Sequence, residues 1–65
     1  MKVRYFEDTD TLYIELKDEQ PVSTKALNDD VMLELDAAGR VVGLTIEHIK
    51  EGTGKLGFSF ESVAA

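Results

Sequence analysis

The chain has no cysteine and no tryptophan, and only one proline and one histidine in 65 residues. Without cysteine there is neither a disulfide framework nor a thiolate-bound metal. A single histidine excludes a His-rich metal cage as well. No apolar run approaches the about 20 residues that a membrane-spanning helix needs. Met1-Lys2-Val3-Arg4-Tyr5 carries no apolar signal-peptide core, so a cytoplasmic protein is the expectation. Basic residues are also scarce: seven stand against thirteen acidic ones, a net charge of −6. Such a surface repels the phosphates of nucleic acid and the anionic inner leaflet, so neither nucleic acid nor membrane is an expected partner. A small basic protein is the partner this charge would steer, while the plainer use of the same charge is solubility.

So short a chain builds one domain, residues 1–65. At this size a single core rarely supplies more than about 3–5 kcal/mol. With disulfides and a His/Cys metal site excluded, self-association is the remaining reinforcement, and a two-fold dimer is the expected form.

A period of two dominates what is present. Val3 and Tyr5 alternate with Lys2 and Arg4. After the turn Glu7-Asp8-Thr9-Asp10, Leu12, Ile14 and Leu16 alternate with Thr11, Tyr13, Glu15 and Lys17. Pairing these runs sets Tyr5 against Leu12 and Val3 against Ile14. The other face then sets Lys2 against Glu15 and Arg4 against Tyr13, all sensible cross-strand neighbours. Pro21 breaks the pattern, and residues 22–27, polar in the middle, read as a weak edge strand.

After Asn28-Asp29-Asp30, Val31, Leu33 and Leu35 form the clearest strand. Gly39 suits the turn that leads into Val41, Val42, Leu44 and Ile46. The register there is open. A three-residue loop puts Leu35 beside Val41 and sends Leu44 and Ile46 to the wrong face. A longer loop, or a bulge at Gly43, returns them to the core face. Leu12, Ile14, Leu33 and Leu35 are expected to be nearly fully buried. Beyond Glu47 the alternation fails: Gly52, Gly54 and Gly57 loosen the chain, and residues 59–65 suit a short helix capped by Ser59, or a frayed end.

The run Asp8-Thr9-Asp10-Thr11-Leu12-Tyr13-Ile14, followed by Asp36 and then Gly39-Arg40-Val41-Val42-Gly43, resembles domain-of-unknown-function family 2283, small and mostly bacterial proteins. The likeness covers about residues 2–48. It implies a small β-meander and supplies no catalytic residues. It also implies one member of a two-gene module beside a toxin-like protein.

Each chemical motif has a plainer reading. Asp8 and Asp10 could pair for acid–base chemistry or a divalent cation, but aspartate is favoured in turns for its backbone hydrogen bonds. Asn28, Asp29 and Asp30 read the same way. His48 could be a general base with Glu47 or Glu51, yet no nucleophile accompanies it. Gly52-x-Gly54-x-x-Gly57 imitates a dinucleotide fingerprint without the βαβ unit it requires. Arg4, Phe6 and Tyr13 could stack bases, but the charge opposes it.

The expected architecture is therefore mainly β, with α+β as the variant. It is an antiparallel meander of four to five strands over residues 1–48, with a glycine-containing apolar segment, residues 49–65, packed on one face. No catalytic, cofactor or metal residues are assigned, and no cofactor is expected. Phe6, Tyr13, Met32, Phe58 and Phe60 make the candidate interaction face. The expected function is a non-enzymatic interaction module, the acidic antitoxin-like member of a pair. The alternatives are a small enzyme or metal binder using the turn carboxylates, and a structural homo-oligomer subunit.

Overall fold

The first hairpin follows directly from the alternation. Strand β1 (Lys2–Phe6) folds back on β2 (Thr11–Glu15), with Tyr5 opposite Leu12, Val3 opposite Ile14, Lys2 opposite Glu15 and Arg4 opposite Tyr13. This is the expected register. The turn closes on Asp10, whose φ of 54° lies in the left-handed region that aspartate tolerates better than most side chains. The computed structural model describes residues 1–64 and adds β3 (Ser23–Ala26), β4 (Val31–Leu35), β5 (Val41–Glu47) and a short helix α1 (Ile49–Thr53).

The second hairpin settles the register that spacing left open. The Asp36 carboxylate accepts the amides of Ala38 and Arg40, each at 2.9 Å, and Gly39 takes a φ of 81°. Leu35 stands opposite Val41 and Glu34 opposite Gly43, so Val42 is an extra, bulged residue. The bulge restores the pattern: Leu44 returns to Leu33 and Ile46 to Val31.

The strand order is β1-β2-β5-β4-β3, all antiparallel. The meander expected from the family resemblance is thus interrupted once. β2 pairs with β5 rather than β3, and residues 16–22 carry the chain to the far edge. This connection is tied down at the bulge: the Leu16 and Lys17 amides donate to the Val42 carbonyl, and the Val22 amide donates to Leu35. The arrangement places the most apolar strands side by side in the middle. The polar β3 and the charged β1 occupy the edges, where unpaired backbone needs protection.

Row by row across the sheet, Val3, Ile14, Leu44 and Leu33 share one face, and Tyr5, Leu12, Ile46 and Val31 form the next row on it. The opposite face carries Arg4, Tyr13, Thr45, Met32 and Ala26, then Lys2, Glu15, Gly43, Glu34 and Thr24. Among the described residues no second layer of helix or sheet covers either face.

Three expectations are corrected here. Leu12, Ile14, Leu33 and Leu35 are half-buried rather than nearly fully buried, and Val42 is the one fully buried hydrophobic side chain among the described residues. The glycine-containing segment does not pack on the sheet: residues 54–64 are exposed throughout, with Phe58 at 69% and Phe60 at 80%. A flexible apolar tail must lose conformational freedom to lie on its own sheet, and its glycines raise that cost. The helix also forms earlier than residues 59–65. It lies at Ile49–Thr53, while residues 59–64 are irregular and Ala65 falls outside the described residues.

Candidate interaction surface

Three surfaces carry the side chains with chemical potential. The first is the end of the sheet where the β1–β2 turn, the β3–β4 turn and the start of α1 meet. Asp10 Oδ1 accepts the Tyr5 hydroxyl at 2.7 Å and the Lys50 amide at 3.0 Å, and its Oδ2 accepts the Glu51 amide at 3.2 Å. The Tyr5 hydrogen bond holds the Asp10 carboxyl below its usual range. Desolvation opposes this, and the two helix amides and His48 reinforce it. The same contact raises the Tyr5 hydroxyl. His48, at φ 56°, places Nδ1 3.0 Å from Asp30 Oδ1. That hydrogen bond raises the imidazole pKa above its ordinary value, against a smaller desolvation effect. Asn28 Oδ1 accepts the amides of Asp30 and Val31.

These carboxylates are therefore occupied in closing turns and anchoring a helix, as the turn chemistry of Asp and Asn suggests. Asp8 stays exposed beside them. Among the described residues no group of three or more His, Asp or Glu side chains is arranged to hold a metal ion. Gly52 and Gly54 belong to the α1 end and Gly57 to the exposed segment, with no strand–turn–helix around them.

The second surface is an open groove of about 550 Å3 on the polar face, lined by Arg4, Phe6, Tyr13 and Glu34 among others. Buried against two of these side chains is Gly43, where a Cβ would lie 2.8 Å from the Tyr13 hydroxyl and 3.0 Å from Glu34 Oε1. Burial raises the Tyr13 hydroxyl pKa, and the Glu34 carboxylate acts in the same direction. Glu34 Oε1 is buried without a hydrogen-bond partner among the described residues, so the neutral Tyr13 hydroxyl lies beside the carboxylate without a well-formed hydrogen bond to this oxygen. Of the residues singled out for an interaction face, Phe6 and Tyr13 line this groove, and Met32 stands farther along the same face beside Thr45. Phe58 and Phe60 lie apart, in the exposed C-terminal segment.

The third surface is the apolar face. Leu44 sits mid-sheet between Ile14 and Leu33, flanked by a strand on each side, and it is still part-exposed. Reasoning from the alternation assigned these residues to a core. The signal that they form a surface was the residue count: with five strands in one layer, only the tail was left to cover them.

The family model described as "Protein of unknown function (DUF2283)" matches residues 2–50. The chain belongs to the DUF2283 family. The DUF2283 match spans all five strands and ends two residues into α1, leaving residues 51–65 beyond it. It bears out the resemblance seen in the Asp8 to Ile14 and Gly39 to Gly43 runs. Comparison with curated proteins and with solved structures returns no match.

Proposed function

We propose that this DUF2283 member is a non-enzymatic protein-interaction module. The observation that carries this reading is the apolar face. Large aliphatic side chains in the middle strands remain part-exposed, and an apolar sheet face without a second layer over it marks a protein contact. The turn carboxylates support the same reading, because Asp10 and Asp36 are spent on backbone amides. The net charge of −6 supports a finer statement: the chain is the acidic, antitoxin-like member of a cytoplasmic pair, and its partner is a small basic protein. That charge also disfavours nucleic acid and anionic membrane as partners. Among the described residues no helix is long and apolar enough to cross a membrane.

Size-resolved binding tests the reading. The full chain, with Val3→Glu on the apolar face and Met32→Glu on the polar face, is compared for binding to itself and to a co-expressed small basic protein. Binding to either that is lost in one face variant supports it. A chain that binds neither, yet shows a divalent-cation thermal shift abolished by Asp10→Gly, would replace it with the metal-dependent alternative.

A further inference from the structure

The polar face of the sheet holds a carboxylate whose charge the chain leaves uncompensated. Glu34 lies on β4, and its lateral neighbours in the register are Gly43 on β5 and Thr24 on β3. Two positions away along the chain stand Met32 and Asp36. None of the four is positive. Glu34 Oε1 is buried without a hydrogen-bond partner among the described residues, and the Tyr13 hydroxyl beside it is neutral. A carboxylate drawn out of water is costly unless a cation or a hydrogen bond compensates it.

The nearby cations are committed or distant. Lys17 is held by Glu19 at 2.8 Å and by Asp36 at 3.3 Å. Lys25 stands opposite Leu33, on the other face. Lys2 faces Glu15 across the first hairpin and does not line the groove. Arg4 does line it, but β2 and β5 lie between Arg4 and Glu34. At about 4.8 Å per strand, their backbones are about 14 Å apart.

The groove of about 550 Å3 opens beside this carboxylate. Four carboxylates line it, Glu15, Asp18, Glu19 and Glu34, against the single guanidinium of Arg4. Only Glu19 among these four is in an ion pair among the described residues. A concave site lined by one sign of charge focuses its field on the opposite charge. Phe6 and Tyr13 add aromatic surface to the lining, and aromatic faces attract cations. A guanidinium suits both features, because it is weakly hydrated, stacks on rings and donates to carboxylates in a fork.

We infer that this groove receives an arginine side chain from a protein partner, with Glu34 as its counter-ion and Phe6 and Tyr13 as its aromatic walls. This rests on the reading of a basic partner and names the surface that meets its charge, a surface separate from the apolar face.

Amide NMR of the full chain, titrated with a short peptide carrying one arginine among neutral residues, tests this. The same peptide with neutral citrulline in place of arginine is the control. The expected result is a saturable shift of the Tyr13, Glu34 and Gly43 amides with the arginine peptide alone. Glu34→Gln weakens binding by about fivefold to tenfold. Asp18→Asn, in the loop after β2, weakens it too and leaves the sheet untouched. Glu61→Gln removes the same charge from the exposed C-terminal segment and changes nothing. Equal weakening by Glu34→Gln and Glu61→Gln would mean that the peptide senses net charge, and the inference falls. Binding unchanged in Glu34→Gln, or shifts shared by the citrulline peptide, also overturns it. No saturable shift overturns it as well, while the interaction reading still stands or falls on the Val3→Glu comparison.

Discussion

The Tyr5 hydroxyl donates to Asp10 Oδ1 at 2.7 Å, and the same carboxylate receives the first amides of α1, 40 residues farther along the chain. Asp10 therefore joins the first hairpin to the segment that follows the last strand. A five-residue helix is too short to persist alone, so this anchor governs whether α1 forms.

Asp10→Gly isolates the carboxylate, because glycine accepts the left-handed backbone at this position without penalty. Its expected effect is a lower melting temperature and faster amide exchange at Lys50 and Glu51. Asp8→Gly, in the same turn, is the control and leaves both amides protected. Equal exchange in the two variants would show that Asp10 anchors nothing.

Stability is expected to peak in mildly acidic solution. Asp10 and Asp36 have folded-state pKa values below their ordinary 3.8, Asp10 chiefly through Tyr5 and Asp36 chiefly through the Arg40 amide. Their contribution is present above pH 3.8 and is lost as the pH falls through the depressed values. His48 has the opposite sign. Its pKa is raised above the ordinary 6.5 by Asp30, so its contribution is complete below pH 6.5 and disappears as the pH rises through the raised value. Thermal melting across pH should show both limbs. His48→Asn, which keeps a residue suited to the left-handed backbone, should flatten chiefly the alkaline one, with a smaller effect on the acid limb because His48 also helps to lower the Asp10 carboxyl. The alkaline limb will be shallow, because the His48–Asp30 pair is exposed.

Gly43 is buried, and its place beneath Tyr13 and Glu34 makes the sign of a substitution informative. In an open strand, alanine would improve on glycine by about 0.5–1 kcal/mol. Here Gly43→Ala meets the Tyr13 hydroxyl at 2.8 Å, and overpacking of this kind costs about 1–3 kcal/mol. Adding Tyr13→Phe removes the nearest atom and should recover part of the loss in a denaturant melt. A single Gly43→Ala variant more stable than the parent would show that the Tyr13 and Glu34 side chains yield freely.

Leu44→Ala distinguishes a covered sheet from a bare one. Beneath a second layer, truncation costs about 2–5 kcal/mol, and the melting temperature rises with protein concentration. On a bare sheet Leu44 is already part-exposed, so the loss is smaller and independent of concentration. Melts at two concentrations tenfold apart separate the cases.

Much of the sheet was legible from neighbouring residues. The alternation of Val3 and Tyr5, then Leu12 and Ile14, predicts the first hairpin to the residue, because side-chain direction in a strand repeats every two positions and a one-residue slip would expose the whole apolar set. The turn roles of Asn28 and Asp36 are equally local, since each side chain bonds amides two to four positions away. Gly39 and the edge position of β3 follow from the same short-range chemistry.

Tertiary structure decided what depends on residues far apart. Alternation specifies which face a side chain takes and is silent on which strand lies beside it, so the β2–β5 pairing emerged only with the whole sheet. The Val42 bulge reconciles a tight Asp36–Arg40 turn with the apolar rows of β4 and β5, two requirements that conflict in the linear pattern. Asp10 was recognisable as a turn residue, but its grip on α1 exists only because the sheet brings the two ends together. The openness of the apolar face is the least local property of all. A hydrophobic pattern records which side chains avoid water, and only the assembled single layer shows that these remain part-exposed among the described residues.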